Sequence, residues 1–201
     1  MLSGLPRAFS SGVAVLDHVP EPRQIDTMLA AMRNVLEALV ATPAVTVAAV
    51  SGACLGGGAE IAAACDFILA AEDARVGFPV IRLACFPPGA AAMLPVKVGE
   101  ARAADWILTG RVVSGREAVE AGFASRSCPA AALEEETERL AEELLSRSPA
   151  ALRAALGVLR APRRNAIALA LTLAEDAYRS LAGSEDLARA VLNFGKKTAK
   201  P

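Results

Sequence analysis

The chain has 201 residues, a formal net charge of −1 and 54% hydrophobic residues. That length suits one domain, or one domain with an appendage, with enough apolar material for a real core. The balanced charge leaves no footprint for nucleic acid or an anionic membrane, and no apolar run free of glycine or charge is long enough to span a bilayer.

Cys54, Cys65, Cys85 and Cys128 are scattered in apolar surroundings without a CxxC pair. They read as buried reduced thiols of a cytoplasmic protein rather than a disulfide framework or a metal site. No secretory leader is legible at the N-terminus.

Taken in order, Phe9-Ser10-Ser11-Gly12-Val13 reads on its own as an ordinary turn. His18 is the sole histidine, with no second His and no nearby Cys, and reads as solvated or structural. Residues 20–23 read as a loop. From Ile25 to Val40, apolar residues at 25, 28, 29, 32, 35, 36, 39 and 40 mark one helical face, ended by Thr42-Pro43. Met28 and Met32 read as core packing, with pocket lining as a secondary role.

The stretch from Val45 to Ala70 carries the strongest local signal. Val45, Val47 and Val50 read as a buried strand, and the stretch closes in a partly helical segment and a second strand. Between them stand Gly56-Gly57-Gly58 and Glu60. Three successive glycines cost backbone entropy, and they offer close approach and free N–H groups. A helix starting there presents unpaired N–H groups and the positive end of its dipole, a place for developing negative charge. Glu60 would lie in the first turn, near whatever is held. Alone, a glycine cluster is more often a packing turn, and there is neither GxxxxGK[ST] nor GxGxxG here.

Ala71 to Arg75 reads as a turn, and Val76 to Ile81 follows. Phe86-Pro87-Pro88-Gly89 is a rigid turn before a helix from Ala90 to Val98, which Pro95 would kink or restart. Glu100 to Leu108 is another helix, with Trp106 in the core. Ser114 and Glu117 have the spacing of a capping box. Ala121-Gly122-Phe123 leads to a short strand ending at Cys128. Then come an amphipathic helix from Ala131 to Leu145, a helix from Ala150 to Arg160 opened by Ser148-Pro149, a third opened by Pro162 with an apolar run from Ala166 to Leu181, and a last one from Leu187 to Phe194 capped by residues 183–186. Lys196, Lys197 and Lys200 make a basic tail, read as a solvated end.

The string AAVSGACLGGGAEIAAACDFILAAEDARVGFP, with residues 7–18 upstream and 86–128 downstream, resembles the crotonase family of enoyl-CoA hydratases and isomerases. The motifs GVAVLDH (residues 12–18) and FPP (residues 86–88) are similar to those of cyclohexa-1,5-dienecarbonyl-CoA hydratases. The resemblance implies an α/β fold, a ββα spiral core over residues 1–128 with a helical C-terminal region over 129–201 that builds a homotrimer or a dimer of trimers. It implies that strands and a helix normally precede this segment, so the chain is N-terminally short, with sheet neighbours and part of the groove for the CoA nucleotide missing.

The resemblance also implies site roles. The backbone N–H groups of Val13 and Gly57 would hold the thioester oxygen; an enolate forms there, and losing one such donor costs about 3–4 kcal/mol. Glu60 would be the acid/base. Phe9, Ser10, Ser11, Gly12, Gly56, Val80, Pro88 and Gly89 would line the substrate and CoA site. Asp66 matches a structural aspartate. No metal or redox cofactor is implied, since CoA enters as the substrate thioester.

Two positions depart from the pattern. Ala14 stands where an Asp is frequent, and Val80 stands where hydratases carry a second glutamate. Hydration needs water activated at one carbon and a proton delivered to the other, work that two carboxylates usually share. Glu72, Asp73 and Arg82 offer no substitute. The leading expectation is hydration of an enoyl- or dienoyl-CoA. Double-bond isomerisation or another enolate reaction such as decarboxylation is the alternative. A non-catalytic, degenerate subunit is the reading from another class.

Overall fold

The structure, a computed structural model, describes residues 1–5, 7–18 and 21–198. Two four-stranded sheets form the core. The first orders β1 (Leu2–Ser3), β3 (Val47–Val50), β5 (Phe67–Ala71) and β8 (Arg126–Cys128), all parallel. The second orders β2 (Ala8–Ser10), β4 (Ala53–Leu55), β6 (Arg75–Gly77) and β7 (Val112–Ser114), the last pair antiparallel. From β1 to β6 consecutive strands therefore alternate between sheets: β3 to β4, then α2 (Gly57–Ala64), then β5 to β6. This is the expected ββα spiral.

Burial explains the sequence pattern. β3 is buried at every position and β5 at four of five, so both read as continuous apolar runs rather than as alternation. α1 (Pro22–Ala41) packs Ile25, Leu29, Leu36 and Val40 inward. It starts within the stretch expected to be loop, because the Glu21 carboxylate accepts from the N–H groups of Arg23 (3.3 Å) and Gln24 (2.7 Å) and Pro22 fits the first helical position.

α3 (Pro88–Val98) runs unbroken through Pro95 and stops at Gly99, φ 82°, where α4 (Glu100–Thr109) begins. Trp106 is buried as expected. Ser114 Oγ accepts from the Glu117 N–H at 3.1 Å, opening α5 (Gly115–Glu120). The second half of the expected capping box is absent: the Glu117 carboxylate pairs with Arg111 instead, which also holds Asp105 at 2.9 Å.

The C-terminal helices are α6 (Leu133–Leu145), α7 (Pro149–Ala182) and α8 (Glu185–Thr198). Two helices were expected where α7 runs as one of 34 residues, straight through Pro162. An interior proline costs a helix about 3 kcal/mol. Tertiary anchors on both sides offset it. Before it, Arg160 is clamped on Asp66 (Nε to Oδ1, 2.8 Å) and on the Ala44 carbonyl (2.9 Å). After it, Ile167, Leu171, Ala174, Tyr178 and Ala182 are buried, and α7 lies along α1 and α3. The side chains of Lys196 and Lys197, and all of Lys200, lie outside the described residues. No described helix is long and apolar enough to cross a membrane.

Candidate active site

Gly56 starts the site. Its φ of 52° and ψ of −125° turn the chain from β4 into α2 in a conformation that only glycine holds without strain. Its N–H reaches the Gly77 carbonyl at 2.9 Å, locking the turn to β6. Beyond it, the loop after β2 lies directly on the start of α2. A Cβ at Gly57 would stand 3.5 Å from the Val13 nitrogen, and one at Gly58 would stand 2.7 Å from the Ser10 carbonyl oxygen. The glycines thus let two backbone segments touch. Among the described residues, neither the Val13 nor the Gly57 N–H has a protein acceptor.

This close fit sets a testable limit. Gly58→Ala should destabilise by about 1–3 kcal/mol, because Ser10 Cβ at 2.5 Å and the Ser10 carbonyl oxygen at 2.7 Å, neither of which can swing away, block the new methyl. Turnover should fall more than tenfold as the Val13 and Gly57 N–H groups are pushed apart. Thermal melting and steady-state assays check both.

Glu60 lies in the first turn of α2, only 3% exposed. Its Oε1 accepts from the Ala90 N–H at 2.8 Å, at the start of α3, where helix N–H groups lack partners of their own. Burial pushes its carboxyl up to about 7, against the downward pull of the Ala90 and Gly89 N–H groups. A carboxyl poised there can both take and give a proton near neutrality.

Glu60, Val13 and Gly57 face one cavity of about 60 Å³. Ser11, Gly12, Gly56, Val80, Pro88 and Gly89 line it as well, and so do Met28 and Met32. Of the expected lining residues, Phe9 and Ser10 do not. Phe9 packs against the core, and Ser10 Oγ accepts from the Gly12 N–H at 3.2 Å, bracing the loop from behind. A second, open groove of about 840 Å³ shares Ser11, Val13, His18, Gly56 and Val80 and runs out past Arg82 and Arg189.

Four polar side chains at the cavity were not placed there from sequence. Of the two readings of His18, solvated or structural, burial removes the first: its Nδ1 stands 2.5 Å from Tyr178 Oη. Arg33 grips Glu175 through two bonds of 2.8 and 2.9 Å. The available signal was weak. Tyr178 is the single tyrosine and sits on the apolar face of its helix, and a buried tyrosine hydroxyl needs a partner.

The sequence model of the enoyl-CoA hydratase/isomerase family matches residues 1–200. The chain belongs to this family, the crotonases. It is similar to cyclohexa-1,5-dienecarbonyl-CoA hydratase of Thauera aromatica, 39% identical over 115 residues, 57% of this chain and 44% of that one. It is similar to a probable enoyl-CoA hydratase of Rhizobium meliloti, 37% identical over 205 residues, 98% of this chain and 77% of that one. The chain thus spans under half of the first relative's length in that match and about three quarters of the second's. A crystal structure of an enoyl-CoA hydratase from Mycobacterium avium subsp. paratuberculosis superposes with a TM-score of 0.87 at 28% identity, over 97% of this chain and 76% of that one. The crotonase fold and the family resemblance read from the glycine stretch are therefore both found.

Proposed function

We propose that this crotonase adds water to the double bond of an enoyl- or dienoyl-CoA thioester through an enolate. The observation that carries the reading is the convergence of a buried, proton-poised Glu60 with two acceptor-free N–H groups, Val13 and Gly57, on one cavity. The thioester oxygen sits between the two N–H groups, which stabilise the negative charge that forms on it. Glu60 handles the proton at the α-carbon. The open groove past Arg82 and Arg189 gives the long CoA arm a way out, and the reaction draws on no metal or redox group. A cytoplasmic site of action accords with the free thiols. Val158, Leu159, Leu169 and Leu173 of α7 and Leu192 of α8 are exposed apolar side chains, and they support assembly into a homotrimer or a dimer of trimers.

Val80 on the cavity wall favours a second reading, double-bond isomerisation, which needs one shuttling base. A degenerate, non-catalytic subunit has less support, since a buried carboxyl raised to about 7 and facing two acceptor-free N–H groups is what proton transfer at a thioester needs. Crotonyl-CoA turned over in ¹⁸O water separates the readings. The label in a 3-hydroxyacyl product is expected of the hydratase. A shifted double bond without label would establish the isomerase.

A further inference from the structure

Val80 removes the second carboxylate from this cavity, yet the cavity is not short of proton-handling groups. His18 ends the short helical turn that follows the Val13 loop, and Tyr178 projects from α7 on the other side. Both are buried and both line the cavity that Glu60 faces. Their 2.5 Å contact links a phenol to an imidazole, and the Cys85 thiol, which donates to the Val80 carbonyl at 3.4 Å, lies beside the phenol. Burial holds His18 below the usual histidine range, partly offset by Asp17, and it raises Tyr178, so the pair rests neutral.

Resting on the hydratase reading above, we infer that Tyr178, backed by His18, is the second acid/base of the site and does the work of the absent glutamate. The adding water gives its proton to Tyr178 Oη while the phenolic proton moves to His18 Nδ1. The water oxygen bonds to the β-carbon, and the π pair moves onto the thioester oxygen. Protonated Glu60 then gives its proton to the α-carbon as the enolate collapses. The imidazolium proton returns through Tyr178 and solvent to Glu60, so water is consumed and no proton is gained or lost. Tyr178 is the catalytic residue here and His18 acts through it.

The division of labour fixes a sign. If Glu60 alone served both carbons, it would have to start ionised, and hydration would rise with pH through about 7. With Tyr178 and His18 taking the water proton, Glu60 starts protonated, and hydration falls above about 7. Removal of an α-proton from a saturated acyl-CoA needs ionised Glu60 in either case, so exchange rises through the same range. The charged and titratable groups around the pair are Asp17, Glu60, Cys85, the Arg33–Glu175 ion pair, and Arg82 and Asp186 with Arg189 across the open groove.

The test uses the full chain, with crotonyl-CoA for hydration and butyryl-CoA in D₂O for α-exchange. Tyr178→Phe should lower hydration at least 100-fold and exchange less than tenfold. His18→Gln should lower hydration similarly and abolish its acid limb, which a merely structural histidine would not set. In the wild type, the two reactions should show opposite pH slopes through 7. Hydration by Tyr178→Phe within threefold of wild type overturns the proposal. So does loss of both reactions together in that variant, or wild-type hydration that rises through pH 7. Wild-type exchange without hydration overturns the relay but leaves the enolate chemistry standing. Absence of both reactions in folded wild type removes the hydratase reading and the relay with it.

Discussion

Glu60→Gln should lose turnover and gain stability. The amide still accepts the Ala90 N–H but moves no proton, so kcat should drop by about 10³-fold with KM little changed. The stability change follows from the sign of the carboxyl's shift. An unfolded chain ionises this group near 4.5 and the folded chain near 7. The folded state therefore binds the proton more tightly, and its stability falls as pH rises between those values. The full loss is about 3 kcal/mol and is complete above pH 7. The glutamine variant has no such loss. At pH 8 it should melt several degrees higher than wild type, with the gap closing towards pH 4.5. Paired melting curves across that range check the sign. A variant less stable at pH 8 would show that the carboxylate is a structural cap for α3 and not a strained catalytic group.

Arg160→Ala should be the most damaging single change away from the cavity. The guanidinium is 5% exposed at its side chain and binds both Asp66 oxygens together with the Thr42, Val40 and Ala44 carbonyls. It ties α7 to the end of α1 and the entry to β3. Removing it strips a half-buried carboxylate of its guanidinium partner, while the Thr46 N–H and hydroxyl still donate to it, both at 2.8 Å. Breaking such a pair costs about 3–5 kcal/mol, a Tm drop on the order of 10 °C. Burial pushes the Asp66 carboxyl up, and the Arg160 and Thr46 hydrogen bonds overcome it to hold the group below the usual carboxylate range. That stabilisation is present at neutral pH and lost as pH falls through the lowered value. Urea denaturation should therefore show a large gap between variant and wild type at pH 7 that narrows on acidification.

The parts of this molecule that were legible in sequence are those fixed within a few residues. The glycine run with Glu60 declares a tight turn, free N–H groups and a carboxylate one turn on, and all three are found. Ser114 caps its helix because the bond spans three residues. The capping box failed at its other half because Arg111 outcompetes the backbone for Glu117. Contacts between distant segments were not legible. His18 and Tyr178 are 160 positions apart, so a lone histidine gave no sign of its partner. Pro162 read as a helix start by a sound local rule, which Arg160 and the buried face from Ile167 onward override. Asp66 was placed correctly as structural, but its partner, 94 residues away, could not be read.

The most direct test of enolate chemistry at this site is deuterium exchange at the α-carbon of butyryl-CoA in D₂O, followed by mass spectrometry. It asks only whether the Val13 and Gly57 N–H groups hold the thioester while Glu60 takes a proton. The account predicts exchange by the wild type that rises with pH through about 7 and vanishes in Glu60→Gln. Exchange that persists undiminished in Glu60→Gln, or none from folded wild-type protein, would contradict it.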